Sequence, residues 1–405
     1  MKQKQGHVVL IGHNFTSILG LARALGKQGY SITALRSGIN LKKSRIARIG
    51  TTPEAHSKYI QKHIIINPDD EEKVIQILKE DAEIAEKSNK SKSILIPVDD
   101  VCAMLIDRHY NQLQQYYYLP NVGKTQNGII QLMDKYYQKS LAKAAGLLVA
   151  EGWSIDINSG RYSIPEEIKY PCFAKAQLPF TRRKQYMGKC DNPEELRTLL
   201  NNVTYEGNCR IIVEEFLEIE KEYCVVGVCN KTEVCIPEII EETVMGHNKH
   251  AGVTCFGKII PPGAYKETID KLKLFLVSLD FQGIFTIDLL ECSGNLYFCE
   301  LNARIGGSGI AVIGAGVDIA SMYVSSITGE STIPYDSKCK AMTFASERPL
   351  LNDLVTGQIS FKQYRRYYQK ADYRFIYSQY DRKPYYFFMI YCLREIMKCT
   401  IHKKN

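Results

Sequence analysis

No apolar run in these 405 residues approaches the length of a membrane span. The start, MKQKQGHVVLIG, enters only a five-residue strand-like run before Gly12, too short for the apolar segment of a signal peptide. Close, regular cysteine spacing is missing too. The thirteen cysteines show neither the grouping of a zinc site nor that of a small disulfide scaffold. Cys224, Cys229, Cys235 and Cys299 sit inside apolar runs, where a reduced thiol acts as a small buried hydrophobe. Such usage fits a reducing compartment, and a cytoplasmic protein is expected. Internal repeats and low-complexity segments are lacking. The turn after the first strand reads G-H-N-F-T-S-I-L-G and lacks the G-x-G-x-x-G spacing of a dinucleotide site. No Ser-His-Asp or Cys-His arrangement makes a case for a covalent nucleophile.

What is present is enough apolar material (45%) to fill real cores over two or three domains. The formal charge of +8 is unevenly spread. Residues 358–405 carry eleven Lys or Arg against Asp372, Asp381 and Glu395, so the first 357 residues balance to zero. The spacing predicts a strand His7–Ile11, a helix Ile18–Gln28 and a strand Ser31–Leu35, a β-α-β start that implies a doubly wound sheet. A further buried strand, Ser93–Val98, ends at Asp99-Asp100. Those acids either cap the next helix or sit where open α/β sheets bind ligands. Pro, Asn and Gly cluster at Pro120–Gly128 and mark a boundary. A helix Ile129–Ala145 follows, then strands Cys172–Ala176, Arg210–Phe216, Tyr223–Val228 and Val234–Ile240, and a helix Tyr265–Leu279.

The densest chemistry lies in Gly283–Gly307, GIFTIDLLECSGNLYFCELNARIGG. Two apolar runs flank Ser293-Gly294-Asn295, a composition suited to a tight hairpin turn. A three-residue turn puts Asp288 opposite Glu300, with Asn302 on the same face as Glu300. Opposed carboxylates repel. Two carboxylates and an amide oxygen are hard donors suited to Mg²⁺, which removes that penalty. Arg304 adds a fixed positive charge beside them.

Upstream, Lys135 starts a helix in MDKYYQKSLAKAAG, and Lys175 sits on the buried strand of YPCFAKAQ, where an ammonium needs an anion. Glu214-Glu215-Phe216-Leu217 ends another apolar strand, with Glu222 close behind. With Glu-x-Asn-x-Arg and Gly306-Gly307 in the hairpin, this order over residues 1–330 resembles the ATP-grasp family. The basic, glycine-poor segment QLPFTRRKQYMGK, the Gly-Leu-Ala-x-x-Leu-Gly helix and DRKPYYFF are similar to the carboxylate–amine ligase branch that includes D-aspartate ligase.

The resemblance implies a mixed α/β and α+β chain. A Rossmann-like domain (1–124) would precede a two-lobed ATP-grasp domain (125–330) and a basic, tyrosine-rich C-terminal helical extension (331–405). It assigns phosphate contacts to Lys135 and Lys175, adenine to Glu214, Glu215, Phe216 and Leu217, and the ribose to Glu222. Mg²⁺ or Mn²⁺ falls to Asp288, Glu300 and Asn302. Arg304 would stabilise a phosphorylated intermediate, while Arg182, Arg183 and Lys184 form a phosphate lid in place of the glycine-rich loop of many members. The implied reaction joins a carboxylate to an amine at the expense of ATP, through an acyl phosphate. The substrates would be small molecules or glycan-linked cell-wall or polysaccharide precursors. A carboxylase or kinase, or a non-catalytic ATP-binding module, are the alternatives, and a homodimer through the front domain is implied. His247 and His250 could touch substrate or deprotonate the amine, but read more simply as loop histidines.

The C-terminal stretch 361–405 interleaves nine tyrosines with basic side chains. From Pro384 the apolar positions continue around much of a helix too charged to span a bilayer. It reads as a helix packed on the core, or as an interfacial helix on the anionic inner face of a membrane. Nucleic acid is not expected, since no binding module accompanies the charge.

Overall fold

The computed structural model describes residues 6–39, 50–89, 91–178, 187–204, 208–247, 252–260, 263–334 and 339–402. The expected β-α-β start forms because Val8–Ile11 are fully buried and Asn14 caps the next helix, its side chain accepting from the Ser17 amide. Strand His7–Gly12, helix Phe15–Lys27 and strand Ser31–Arg36 open an all-parallel sheet of five strands. Its order is Lys62–Ile65, Ser31–Arg36, His7–Gly12, Ser93–Pro97, Tyr117–Tyr118. The order reverses between His7–Gly12 and Ser93–Pro97, so the loops after those strands meet at the sheet's switch point.

A second sheet is antiparallel, in the order Gly188–Cys190, Cys172–Ala176, Cys209–Glu215, Gly152–Ile157. The helix Pro193–Thr204 covers it, burying Leu196, Leu200 and Val203 against Ile155, Ile157, Ile211 and Val213. The third and largest sheet has ten strands. At its centre Lys221–Asn230 pairs with Phe281–Cys292, which pairs with Asn295–Asn302. One side buries Leu272, Phe275 and Leu276 of the helix Lys266–Ser278 against Phe285, Ile287 and Leu289. On the other, Val226, Val228 and Ile284 share a core with Leu21 and Leu25 of the first helix and with the helices Ile310–Gly314 and Ile319–Ile327.

Two elements differ from expectation. The helix expected over Ile129–Ala145 is two helices, Gly128–Leu132 and Lys135–Ala144. Asp134 breaks it, because its side chain caps the second helix by accepting from the Tyr136 and Tyr137 amides, each at 3.0 Å. The strand expected over Val234–Ile240 is Glu233–Cys235 and Ile239–Met245. Pro237 lies in the gap and has no amide hydrogen for a ladder.

The C-terminal part is mostly helical (Glu347–Val355, Phe361–Lys370, Lys383–His402), and its short strands Met342–Ala345 and Tyr373–Arg374 extend the large sheet. It is tied to the front domain's first helix through buried Arg23, which donates to Asp381 at 3.0 Å and to the carbonyl oxygens of Phe375 and Ile376. No helix among the described residues is long and apolar enough to cross a membrane.

Candidate functional site

The hairpin forms, with a shorter turn than expected. Ser293 and Gly294 take φ of +51° and +74°, the pair of left-handed residues that closes a two-residue hairpin, and Cys292 faces Asn295. Continued without interruption, that register would set Asp288 against Cys299. A β-bulge intervenes: Leu289 pairs with Phe298 and Asp288 with Glu300, so Cys299 is the extra residue. The turn loses a residue, the bulge restores it, and the two carboxylates still face each other. Thr286 pairs with Asn302, which keeps Asn302 two residues from Glu300 on the same face.

The electrostatics of this pair are lopsided. Burial, the largest single influence, would push the Glu300 carboxyl up, but Lys135, which donates to Glu300 Oε2, together with Lys175 and Arg304 holds it down at about 2. Asp288 goes the other way. Burial, then the Glu300 and Glu242 charges, push its carboxyl well above the usual range, with Arg304 and Lys135 opposing. Asn302 Nδ2 donates to Asp288 Oδ2 at 3.2 Å, and Arg304 Nη2 donates to Asn302 Oδ1 at 3.2 Å. Arg304 also makes a two-pronged contact with Asp100 of the front sheet, at 2.7 and 3.0 Å. Of the two acids expected there, Asp99 serves as the helix cap, accepting from the Cys102 amide at 2.8 Å, and Asp100 reaches the hairpin. Two carboxylates set opposite each other with an amide beside them are hard oxygen donors, and their chemistry fits Mg²⁺. Among the described residues no group of three or more His, Cys, Asp or Glu side chains is placed to hold a metal, so the fit rests on the two carboxylates with the amide of Asn302.

The helix that carries Lys135 is anchored across the gap between the sheets. Asp134 accepts from Gln177 Nε2 at 2.7 Å, the Lys135 amide donates to the Gln177 carbonyl at 3.1 Å, and Gln138 clamps both backbone groups of Leu301 at 2.7 and 2.8 Å. One turn beyond Lys135, Lys139 Nζ lies 2.5 Å from Glu214, whose other oxygen is 3.0 Å from Lys175 Nζ. All three side chains are less than a tenth exposed. The anion that buried Lys175 requires is therefore Glu214 in this structure. Burial depresses Lys139 and the neighbouring Lys175 depresses it further, with Glu214 working against both. Glu215 accepts from the Glu151 amide at 3.1 Å, and Lys189 Nζ sits 4.9 Å over the Phe216 ring. Leu217 follows in the segment leading to Lys221–Asn230.

Glu222 pairs with Leu290 as Cys224 pairs with Asp288, so Glu222 and Asp288 share a face of the large sheet. Burial and the Glu242 charge raise the Glu222 carboxyl. Glu242 itself accepts from Ser308 Oγ at 2.8 Å and from Thr254 Oγ1. Neither Glu242 nor Lys139 was expected from sequence. The i,i+4 spacing of Lys135 and Lys139 was the available signal for the latter. For Glu242 only its position just past an apolar strand pointed there. Arg182, Arg183, Lys184 and His250 lie outside the described residues. His247 is held by Asp353, at 3.2 Å to its amide and 2.9 Å to Nδ1.

Residues 134–331 match the family described as "Carbamoyl-phosphate synthase L chain, ATP binding domain". The carbamoyl phosphate synthase large chain of Helicobacter pylori strain J99 is 28% identical over 156 residues, 35% of this chain. The match spans only 14% of that relative's length. Among solved structures, N5-carboxyaminoimidazole ribonucleotide synthetase in its ADP complex aligns with a TM-score of 0.62 at 17% identity, covering 85% of this chain and 82% of that one. An L-amino acid ligase from Bacillus licheniformis gives 0.59 at 14% identity, covering 82% and 77%. The biotin carboxylase domain of the Hydrogenobacter thermophilus 2-oxoglutarate carboxylase, with MgADP and bicarbonate, gives 0.61 at 17%, covering 83% and 73%. At these identities the structures establish a shared fold.

Proposed function

We propose, for a chain that carries an ATP-grasp domain over residues 134–331, an ATP-dependent ligase joining a carboxylate to an amine. The observation that carries the reading is Asp288 set opposite Glu300, with Asn302 beside them and Lys135 and Arg304 converging on the same face. In this reading residues 1–124, 125–330 and 331–405 are the working divisions.

A substrate carboxylate oxygen attacks the γ-phosphorus of ATP, the bond to the β-γ bridging oxygen breaks, and ADP leaves. The amine nitrogen then attacks the acyl carbon, phosphate departs, and one proton is released. Lys135 and Lys175 neutralise the phosphates, and Arg304, held in place by Asp100, offsets charge on the acyl phosphate. Arg183 and Lys184, outside the described residues, keep the phosphate-neutralising role that the resemblance implies. Glu214, Glu215, Phe216 and Leu217 line the adenine, with Glu214 also fixing the two lysines behind it. Glu222 takes the ribose. Asp288, Glu300 and Asn302 would hold Mg²⁺, or Mn²⁺ in its place, which would supply Lewis-acid charge neutralisation when bound.

The finer reading is a small or glycan-linked cell-wall precursor, in the manner of D-aspartate ligase, with peripheral membrane contact through the basic tail and a homodimer as the assembly. A carboxylase is the second reading, favoured by the solved structure that binds MgADP with bicarbonate. ADP release measured with a panel of carboxylates, amines and bicarbonate separates them: dependence on amine supports the ligase, dependence on bicarbonate the carboxylase. Glu300→Gln should lower turnover by at least about a hundredfold, a loss typical of removing one positioned charge-stabilising group. Undiminished turnover in that variant removes the metal assignment.

A further inference from the structure

The C-terminal helix Lys383–His402 has two unlike faces. Its inner face packs: Phe388 and Cys392 are each 3% exposed in a cluster with Phe15, Leu19, Leu351 and Ile376. The ring of Phe387 stacks on His56 at 3.3 Å between centroids, 6° from parallel. The outer face is apolar as well, and its side chains stand open among the described residues. Tyr386, Met389, Ile390, Leu393, Ile396 and Met397 are 39–58% exposed. At 100° per residue their spacing puts all six on one stripe about 120° wide, running along the helix. By the same geometry Lys383 and Arg394 fall along one margin of it.

We propose that this stripe docks onto an anionic lipid bilayer, with the helix lying in the plane of the headgroups and its inner face still on the protein. A helix presenting apolar side chains on two opposite faces leaves the second one for a surface that can bury it. The charge says what. Residues 382–405 hold six Lys or Arg against Glu395, and residues 358–405 as a whole carry +8. Pairing two copies through this face would bring two such segments together, whereas an anionic surface attracts each of them. Arg394 and Glu395 midway along the helix keep it at the surface rather than across it. The inference rests on and deepens the peripheral membrane contact of the proposed function, and because lipid binding is measured without substrate or turnover, it and the ligase chemistry can fail separately.

The test uses the full chain with vesicles of equimolar phosphatidylcholine and phosphatidylglycerol, and with phosphatidylcholine alone, in a flotation assay. Leu393→Glu combined with Met397→Glu changes two exposed side chains, so the fold is kept, as an unchanged thermal transition verifies. The wild type should float with anionic vesicles and not with neutral ones. Raising the salt should weaken it, and the double variant should lower the bound fraction by about tenfold or more. Wild type left at the bottom with anionic vesicles overturns the proposal, and so does equal flotation of the double variant. A wild-type dimer in sedimentation equilibrium that the double variant dissolves also overturns it, assigning the stripe to a second copy.

Discussion

Glu214→Gln isolates one consequence of the Lys139–Glu214–Lys175 cluster. The substitution keeps shape and hydrogen-bonding capacity but leaves two ammonium groups facing each other, each side chain less than a tenth exposed. Removing one partner of a buried pair typically costs about 3–5 kcal/mol. The fold has one escape, deprotonating Lys139, already the depressed lysine of the two. Bringing its pKa from 10.5 to pH 7 costs about 3.5 units at roughly 1.36 kcal/mol each, which caps the loss near 5 kcal/mol. Trp153, the single tryptophan, pairs with Val213 in the same sheet, so its fluorescence follows the affected lobe. In urea the midpoint should fall by about 1–5 M at a slope of about 1–3 kcal/mol per M. Inorganic triphosphate, added without metal, should raise the melting temperature more in the variant than in the wild type, because it restores the missing negative charge. A midpoint shift worth less than about 0.5 kcal/mol, the scale of an ordinary surface substitution, would refute the cluster as a buried charge relay.

Other sites give independent outcomes. Burial raises the Asp107 carboxyl to about 6, with the Ile130 amide, donating at 2.8 Å, pulling the other way. A carboxyl with a raised folded pKa costs stability as pH climbs from its unfolded value near 4 through about 6, so Asp107→Asn should stabilise the protein by about 1–3 kcal/mol at pH 8. It should gain nothing below pH 4, and thermal unfolding across that range checks the sign. At Gly227 an added Cβ would meet the Cys235 carbonyl oxygen and come within 2.7 Å of the Phe285 ring. Gly227→Ala should therefore destabilise the large sheet by about 3 kcal/mol, seen as loss of soluble protein or a lowered urea midpoint.

Much of the site was readable because its signals are local. The alternation of Asp288, Glu300 and Asn302 across two strands needs only the two-residue period of a strand and a turn between them. The doubly wound start likewise follows from short apolar runs broken by Asn14 and Gly29. Composition suggests a three-residue turn, and the positive φ of Ser293 and Gly294 makes it two. The facing pair survived only because a bulge at Cys299 added the residue back, and nothing in CEL announces a bulge. A lysine on a buried strand needs an anion, and that Glu214 answers Lys175 here depends on the pairing of Cys172–Ala176 with Cys209–Glu215.

Sequence by itself determined the pieces: which strands of the front sheet are buried, which faces of the hairpin carry acids, and that the tail is basic with apolar residues around much of a helix. Periodicity, capping and turn chemistry act between near neighbours, so they are written in order along the chain. Tertiary structure alone decided the partners. Asp100 meets Arg304 across 204 positions, Lys135 meets Glu300 across 165, and Glu242 presses on Asp288 from a strand two places away in the sheet. Charge interactions depend on distance in space and on the water excluded between the groups, and both are set only once separate sheets have packed.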